Sequence, residues 1–194
     1  LVKKSNKIPE HKMYAAMVIL PNGNKEYLEI DGEDWKLYNQ AKHDYFESTL
    51  KIPEVKINSG HNTKQVLNYN YKFWSEFFNY RQLRALTLLL EEINKIDNKD
   101  IRMQFITLLS GTLEFNNMFC SFKGEGTGAV RHLFYNHILK PERTPLENSV
   151  WGTEKSSGTF STLFKSRLIK AKEYLKEPFE LRISDKKSEK VYCN

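Results

Sequence analysis

The sequence predicts an α+β fold that is predominantly helical. Two strand-like runs are joined by Pro21-Asn22-Gly23-Asn24, and Asn-Gly is a strong signal for a hairpin turn. Two leucine-rich segments, at 81–96 and 101–119, have apolar residues at helical spacing. A lysine-rich segment with the same spacing precedes two short strand-like runs. We therefore expect an N-terminal β-hairpin, an antiparallel central helix pair, a basic C-terminal helix and short terminal strands.

The length of 194 residues fits a single domain with its own core, and it needs no disulfide or metal to fold. We divide it into a hairpin plus helix (1–60), a helical core (61–122) and a glycine loop with a basic helix (123–194). Because the first residue is Leu1 and not Met, we expect a fragment of a larger protein. The two cysteines form no disulfide pattern, so we expect a cytoplasmic, reducing location.

The first third contains the hairpin strands, at 12–20 and 25–30, and a helix that begins at the acidic run 31–34. The apolar run at 13–20 is too short to span a bilayer, so no membrane partner is expected. Residues 49–71 are predicted to be a loop because proline, glycine and asparagine interrupt the pattern. Residues 72–78 are predicted to form a short aromatic helical turn.

The central helix pair is predicted to form the core. The polar residues at 97–100 separate the two helices, and Asp100 is the predicted cap of the second. Such a short connection implies antiparallel neighbours. We expect Leu86 and Leu109 to lie in one core.

Positive charge is concentrated near the C-terminus. The net charge is +6, and residues 123–194 contain fourteen basic and nine acidic residues. An acidic partner is therefore expected, and the charge asymmetry favours a phosphate backbone. An ordinary solvated surface remains the alternative.

The basic helix is predicted at 160–176, where five basic residues accompany one acid, Glu173. A buried stripe is predicted for Leu163, Phe164, Leu168, Ala171 and Leu175. Lys165 and Lys172 are seven residues apart and are predicted to lie near one face, as phosphate contacts require. A lysine-rich face that only solubilises the chain is the alternative.

The segment Gly124-Glu125-Gly126-Thr127-Gly128 contains three glycines that would allow a close approach to a phosphate. However, it lacks the Lys-Ser/Thr of a P-loop and the dinucleotide-binding spacing. A tightly turning loop is therefore favoured over a nucleotide site. Lys123 and Arg131 flank this loop.

The sequence contains no complete catalytic constellation. His132, His137 and Cys120 are too few, at unsuitable spacing, for a predicted metal site. Glu142 and Glu147 are predicted to be solvated loop residues.

Several segments resemble the central region of large adenine-specific DNA methyltransferases whose catalytic domain is split by an insertion. The first runs from Phe73 to Leu86 and contains Phe-x-x-Arg-Gln-Leu at 78–83. The others are 116–151 and Ser157-Gly158-Thr159-Phe160. The loop at 57–63 resembles the segment that precedes the first of these in the family. The resemblance therefore covers roughly residues 50–194 and is weaker over the first 50.

In that family, Asp-Pro-Phe-x-Gly-x-Gly binds S-adenosylmethionine and Asp-Pro-Pro-Tyr holds the target base. This chain contains neither motif and none of the family's zinc-ribbon cysteines. The resemblance therefore implies a target-recognition or DNA-clamping insertion with no cofactor of its own and no catalytic residue. S-adenosylmethionine is expected only for the full-length parent.

The expected partners are double-stranded DNA and the remainder of the parent methyltransferase. A helical protein-interaction domain with a solubilising basic face is the alternative function. The residues predicted to contact nucleic acid, together with the loop glycines expected to bring the backbone close to it, are Lys123, Gly124, Gly126, Gly128, Arg131, Arg143, Lys165, Arg167, Lys170 and Lys172.

Overall fold

The N-terminal hairpin and the helix that follows it agree with the sequence. The computed structural model describes residues 4–123, 130–135, 139–153, 156–184 and 187–192. Strands β1 (Ala15–Ile19) and β2 (Lys25–Glu29) pair antiparallel. Helix α1 (Gly32–Glu47) is capped by Asp31, whose carboxylate accepts hydrogen bonds from two first-turn N–H groups.

The predicted helix pair is confirmed as the main core. Helices α3 (Tyr80–Asn94) and α4 (Lys99–Leu113) are joined by a short connection, and Leu86 and Leu109 lie in one apolar cluster. Helix α1 packs on α3, where the rings of Phe46 and Tyr80 are 5.1 Å apart. The fold class is α+β and mainly helical, as predicted.

The predicted limits of the second core helix were wrong at both ends. Its cap is Asn98 and not Asp100, because the Asn98 carboxamide accepts from the N–H groups of Asp100 and Ile101. The helix ends at Leu113, before the predicted 119. Beyond that point Asn116 and Asn117 donate to the carbonyls of the last helical turn, which ends the backbone ladder.

The short aromatic turn predicted at 72–78 is present as a 3₁₀ turn (Trp74–Phe77). Two other short elements, at 64–68 and 121–131, were missed, because helix α2 (Lys64–Asn68) and two-residue strands are too short to show a period. Strands β3 (Ser121–Phe122) and β4 (Val130–Arg131) pair at the base of the glycine loop. Aromatic and aliphatic side chains around α2 form a second cluster: Ile57, Val66, Tyr71, Phe77, Phe119 and Leu139.

The basic helix is interrupted. It comprises α5 (Phe160–Leu163), a π-helical turn (Phe164–Ile169) and α6 (Lys170–Lys176), followed by the hairpin β5 (Phe179–Ser184) and β6 (Lys187–Tyr192). The predicted buried stripe holds only for its first half. Ala171 and Leu175 are exposed because α6 extends beyond the core. We call α6 with β5 and β6 the C-terminal arm.

Among the described residues, no helix combines the length and the apolar character that crossing a bilayer requires.

Candidate nucleic-acid interface

Three lysines of the C-terminal helical segment are available to an acidic partner. Lys165, Lys170 and Lys172 are exposed. No salt bridge involves them within the part of the chain that the structure describes. Unpaired ammonium groups of this kind can contact phosphate without first breaking an internal ion pair.

The π-helical turn changes which lysines lie side by side. In an uninterrupted α-helix, residues seven apart differ by only about 20°. A π turn closes its hydrogen bonds from i to i+5 and so adds one residue to the turn. That addition rotates later residues by roughly 100°. It turns Lys172 away from Lys165 and brings Lys170 nearer, so the prediction of a shared Lys165–Lys172 face was wrong.

Arg167 is packed against the core helix. Its guanidinium lies over the ring of Phe115, 5.6 Å from the centroid. Its Nη1 atom also lies near Gly111, 3.4 Å from the position that a Cβ on Gly111 would occupy. The guanidinium of Arg167 therefore has a cation–π contact within the protein. The residue is nevertheless exposed to solvent.

Arg131 holds the base of the glycine loop. Its Nη2 donates to the carbonyl of Lys123 at 3.3 Å, and its guanidinium lies 4.7 Å from the Tyr135 ring centroid. Lys123 itself is exposed, as is Arg143 in a separate loop. Gly124, Gly126 and Gly128 lie outside the described residues.

Trp151 is an exposed aromatic residue that is hydrogen-bonded to the start of α5. Its ring stacks on Phe160 with the centroids 5.9 Å apart, yet 61% of the residue is exposed. Its carbonyl accepts hydrogen bonds from both the N–H and the hydroxyl of Ser161. The N–H of Phe160 donates to Val150 at 2.8 Å. These bonds fasten the residue to the start of α5.

Two glycines shape the turn that leads into α5. Gly152 (φ 90°) and Gly158 (φ 69°) adopt the left-handed region, which favours glycine. The buried Asn116 donates to the carbonyl of Gly158 at 2.8 Å, and Asn148 donates to that of Ser157 at 2.9 Å. The turn is therefore tied to the end of α4.

A cleft of about 350 Å³ separates the start of α3 from this turn. We call it the Trp151 cleft, and the residues of its wall used below are Arg81, Gln82, Glu147 and Trp151. Arg81 and Glu147 form a bidentate ion pair, with Nε–Oε1 2.6 Å and Nη2–Oε2 2.9 Å. This hydrogen bonding raises the pKa of Arg81.

Sequence reasoning missed the Trp151 cleft. Glu147 was predicted to be solvated, and that was wrong because Arg81 binds it. The partners are 66 residues apart in the chain, so no local pattern could reveal the pair. Gln82 was noticed only within Arg-Gln-Leu, and Trp151 only as the end of a longer motif.

A second, smaller cleft lies on another side of Trp151. It has a volume of about 240 Å³ and is lined by Trp151, Thr153, Ser161 and Lys165, among others. Trp151 is therefore common to both clefts, and Lys165 brings positive charge to the second.

The described residues contain no group of three or more His, Cys, Asp or Glu side chains able to hold a metal ion. Cys120 is fully buried, and burial raises the pKa of its thiol to about 11. Such a thiol is protonated at neutral pH and is a poor nucleophile. His137 lies outside the described residues.

Comparisons with known protein families, curated proteins and solved structures found no match.

Proposed function

We propose that this chain is a DNA-binding, target-recognition segment of a larger adenine-specific DNA methyltransferase. The observation that carries the proposal is a set of exposed lysines that have no carboxylate partner among the described residues, Lys165, Lys170 and Lys172. They lie in the third of the chain that holds most of its excess positive charge. Duplex DNA is the partner whose regular phosphate charge such residues suit.

The segments that resemble the methyltransferase family meet in space, which supports a common role for them. Asn116, from the second segment, donates to Gly158 of the third. Gln82, from the first, lines a cleft together with Trp151, the last residue of the second. In this proposal the three segments together build the surface next to the lysines.

The parent methyltransferase would carry out the methyl transfer. S-adenosylmethionine would bind to the parent's catalytic region, and this chain would hold the DNA. The remainder of the parent is the proposed protein partner. The parent would contact apolar side chains of the C-terminal arm that are exposed in this chain, namely Leu175, Leu181, Ile183 and Tyr192.

The same apolar side chains favour a second candidate, a protein-interaction domain whose lysines only keep it in solution. Three of the four belong to the hairpin. Leu181 and Ile183 are two residues apart along β5, so their side chains lie on the same face of the hairpin. An apolar face of this kind is typical of a protein contact. This candidate requires no affinity for DNA.

Fluorescence anisotropy with a labelled duplex separates the two candidates. The proposal expects binding that weakens as salt rises from about 50 to 200 mM, with a log–log slope of about −2 to −3 if two or three phosphates are contacted. Absence of binding at the lowest salt would contradict it and favour the protein-interaction domain.

A further inference from the structure

Gln82 has a buried, unpaired hydrogen-bond donor behind the wall of the Trp151 cleft. The residue is only 1% exposed and forms part of the cleft wall. Its Oε1 accepts from the backbone N–H of Asn79 at 3.1 Å, which fixes the orientation of the amide. The Nε2 atom has no acceptor among the described residues. A buried unpaired donor costs about 1–3 kcal/mol, but the Nε2 atom has almost no accessible surface, so a ligand in the cleft meets the wall without reaching this atom.

Trp151 supplies a flat stacking surface at the same cleft. Phe160 packs against its ring, yet most of the residue is exposed. The two hydrogen bonds from Ser161 hold its backbone in place before any ligand arrives. A ring held in this way loses little conformational freedom when it binds a partner.

The charges divide the surroundings of Trp151 into two different environments. In the Trp151 cleft, Glu147 neutralises Arg81, so a neutral group is favoured there over an anion. In the smaller cleft, Lys165 has no carboxylate partner within the described part of the chain, so an anion is favoured. A neutral ring joined to a phosphate matches both environments, and a nucleotide has this composition.

We infer that the Trp151 cleft binds an unpaired nucleobase of a DNA strand. The base stacks on Trp151, and its phosphate lies toward Lys165. The cleft volume of about 350 Å³ falls within the range of small-ligand sites. The inference rests on the proposed DNA binding and adds to it a preference for strands with an unpaired base.

Three labelled DNA molecules of the same base-paired sequence test the base directly. They are a matched duplex, the same duplex with one extra unpaired base, and the same with an abasic nucleotide at that position. All carry nearly the same phosphates, so phosphate contacts alone predict little difference between the last two. We expect the unpaired base to bind about 5- to 140-fold more tightly than the abasic form, the range expected for one base–aromatic stack.

Substitutions at Trp151 provide the matched protein test. Trp151→Leu removes the stacking ring and should abolish the preference, while matched-duplex affinity and its salt slope remain. Trp151→Phe keeps an aromatic face and should retain most of the preference. Thermal unfolding of both variants checks that the fold is intact, as expected at an exposed position. Retention of the full preference by Trp151→Leu would overturn the inference.

The outcomes separate this site from the proposed function. Binding of the matched duplex with equal affinity for unpaired-base and abasic forms would refute the site alone. Binding of the unpaired base without binding of the matched duplex would refute the proposed function and leave the site standing. No binding to any DNA would refute both. If a free mononucleotide competes as strongly as the strand, the ligand is a soluble nucleotide and the DNA source is wrong.

Discussion

Gly158 lies directly against the side chain of Phe115. A Cβ at Gly158 would be 2.5 Å from the Cβ of Phe115, far inside van der Waals contact, and the backbone there has φ 69°. Asn116 simultaneously binds the Gly158 carbonyl. The position therefore excludes a side chain for two independent reasons, space and backbone conformation.

Gly158→Ala should destabilise the fold by about 2 kcal/mol or more, because overpacking and left-handed strain each contribute about 1–3 kcal/mol. Gly32→Ala is the control, since nothing lies within 4 Å of a Cβ there. That change should alter stability by less than about 1 kcal/mol. Chemical denaturation measures both, and equal effects would mean that the contact with Phe115 is wrong.

Truncation of the core leucines should be costly. Leu86→Ala and Leu109→Ala each remove a buried side chain from the cluster between α3 and α4. We expect each to lower the free energy of unfolding by about 2–5 kcal/mol. Leu175→Ala, at a position that is 69% exposed, should change it by less than about 0.5 kcal/mol. Urea titrations in which the buried and exposed variants behave alike would contradict the helix packing.

The lysines should determine the salt dependence of DNA binding. Lys165→Gln combined with Lys170→Gln removes two proposed phosphate contacts, so the log–log salt slope should fall in magnitude by about two. Affinity should fall equally for all duplexes, because phosphate contacts carry no sequence information.

The control for these lysines changes the net charge by the same amount elsewhere. Lys36 and Lys95 are exposed and form i,i+3 ion pairs with Glu33 and Glu92 on other helices. Lys36→Gln combined with Lys95→Gln should leave the slope nearly unchanged. If both double variants shift the slope equally, net charge and not a local contact governs binding.

Alkaline pH should destabilise the fold through Cys120. Burial raises the pKa of its thiol from 9.0 to about 11. Between these values the unfolded chain releases its proton while the folded chain retains it, so stability is full below about pH 9 and falls as pH rises. One group contributes at most about 1.4 kcal/mol per pH unit. Burial also raises the pKa of Tyr71 from 10.0 to about 12, which adds a second loss above about pH 10.

A Cys193→Ser background leaves Cys120 as the single thiol for this measurement. Urea unfolding at pH 8 and at about pH 10 gives the loss of stability, and Cys120→Ala should reduce that loss. The comparison uses the difference between the two pH values, so any cavity left by the substitution cancels. An unchanged pH dependence would show that Cys120 is not the group responsible.

The parts of the fold that could be predicted are those with a clear local sequence pattern. Leucines at helical spacing were enough to place Leu86 and Leu109 in one core, and Asn22-Gly23 was enough to place the first hairpin turn. The capping residue of α4 was harder to assign, because Asn98 and Asp100 are both good caps and only the backbone geometry distinguishes them.

The candidate site depends on contacts that have no local signal. Arg81 binds Glu147, and Gln82 and Trp151 line one cleft, only after α3 has packed against residues 147–151. The π-helical turn was equally hidden, because Leu163, Phe164 and Leu168 have ordinary α-helical spacing. The charge of Arg167 was visible in the sequence, but its packing on Phe115 depends on where α4 lies.

The extra residue in the π turn has a geometric consequence for the C-terminal arm. Deletion of one residue between Phe164 and Ile169 would restore plain α-helical winding, and everything beyond would swing by roughly 100° around the helix axis. The arm's apolar strands would then point in a different direction, although its composition and charge would be almost unchanged. The direction in which this hairpin reaches away from the body is thus encoded in the length of a six-residue segment.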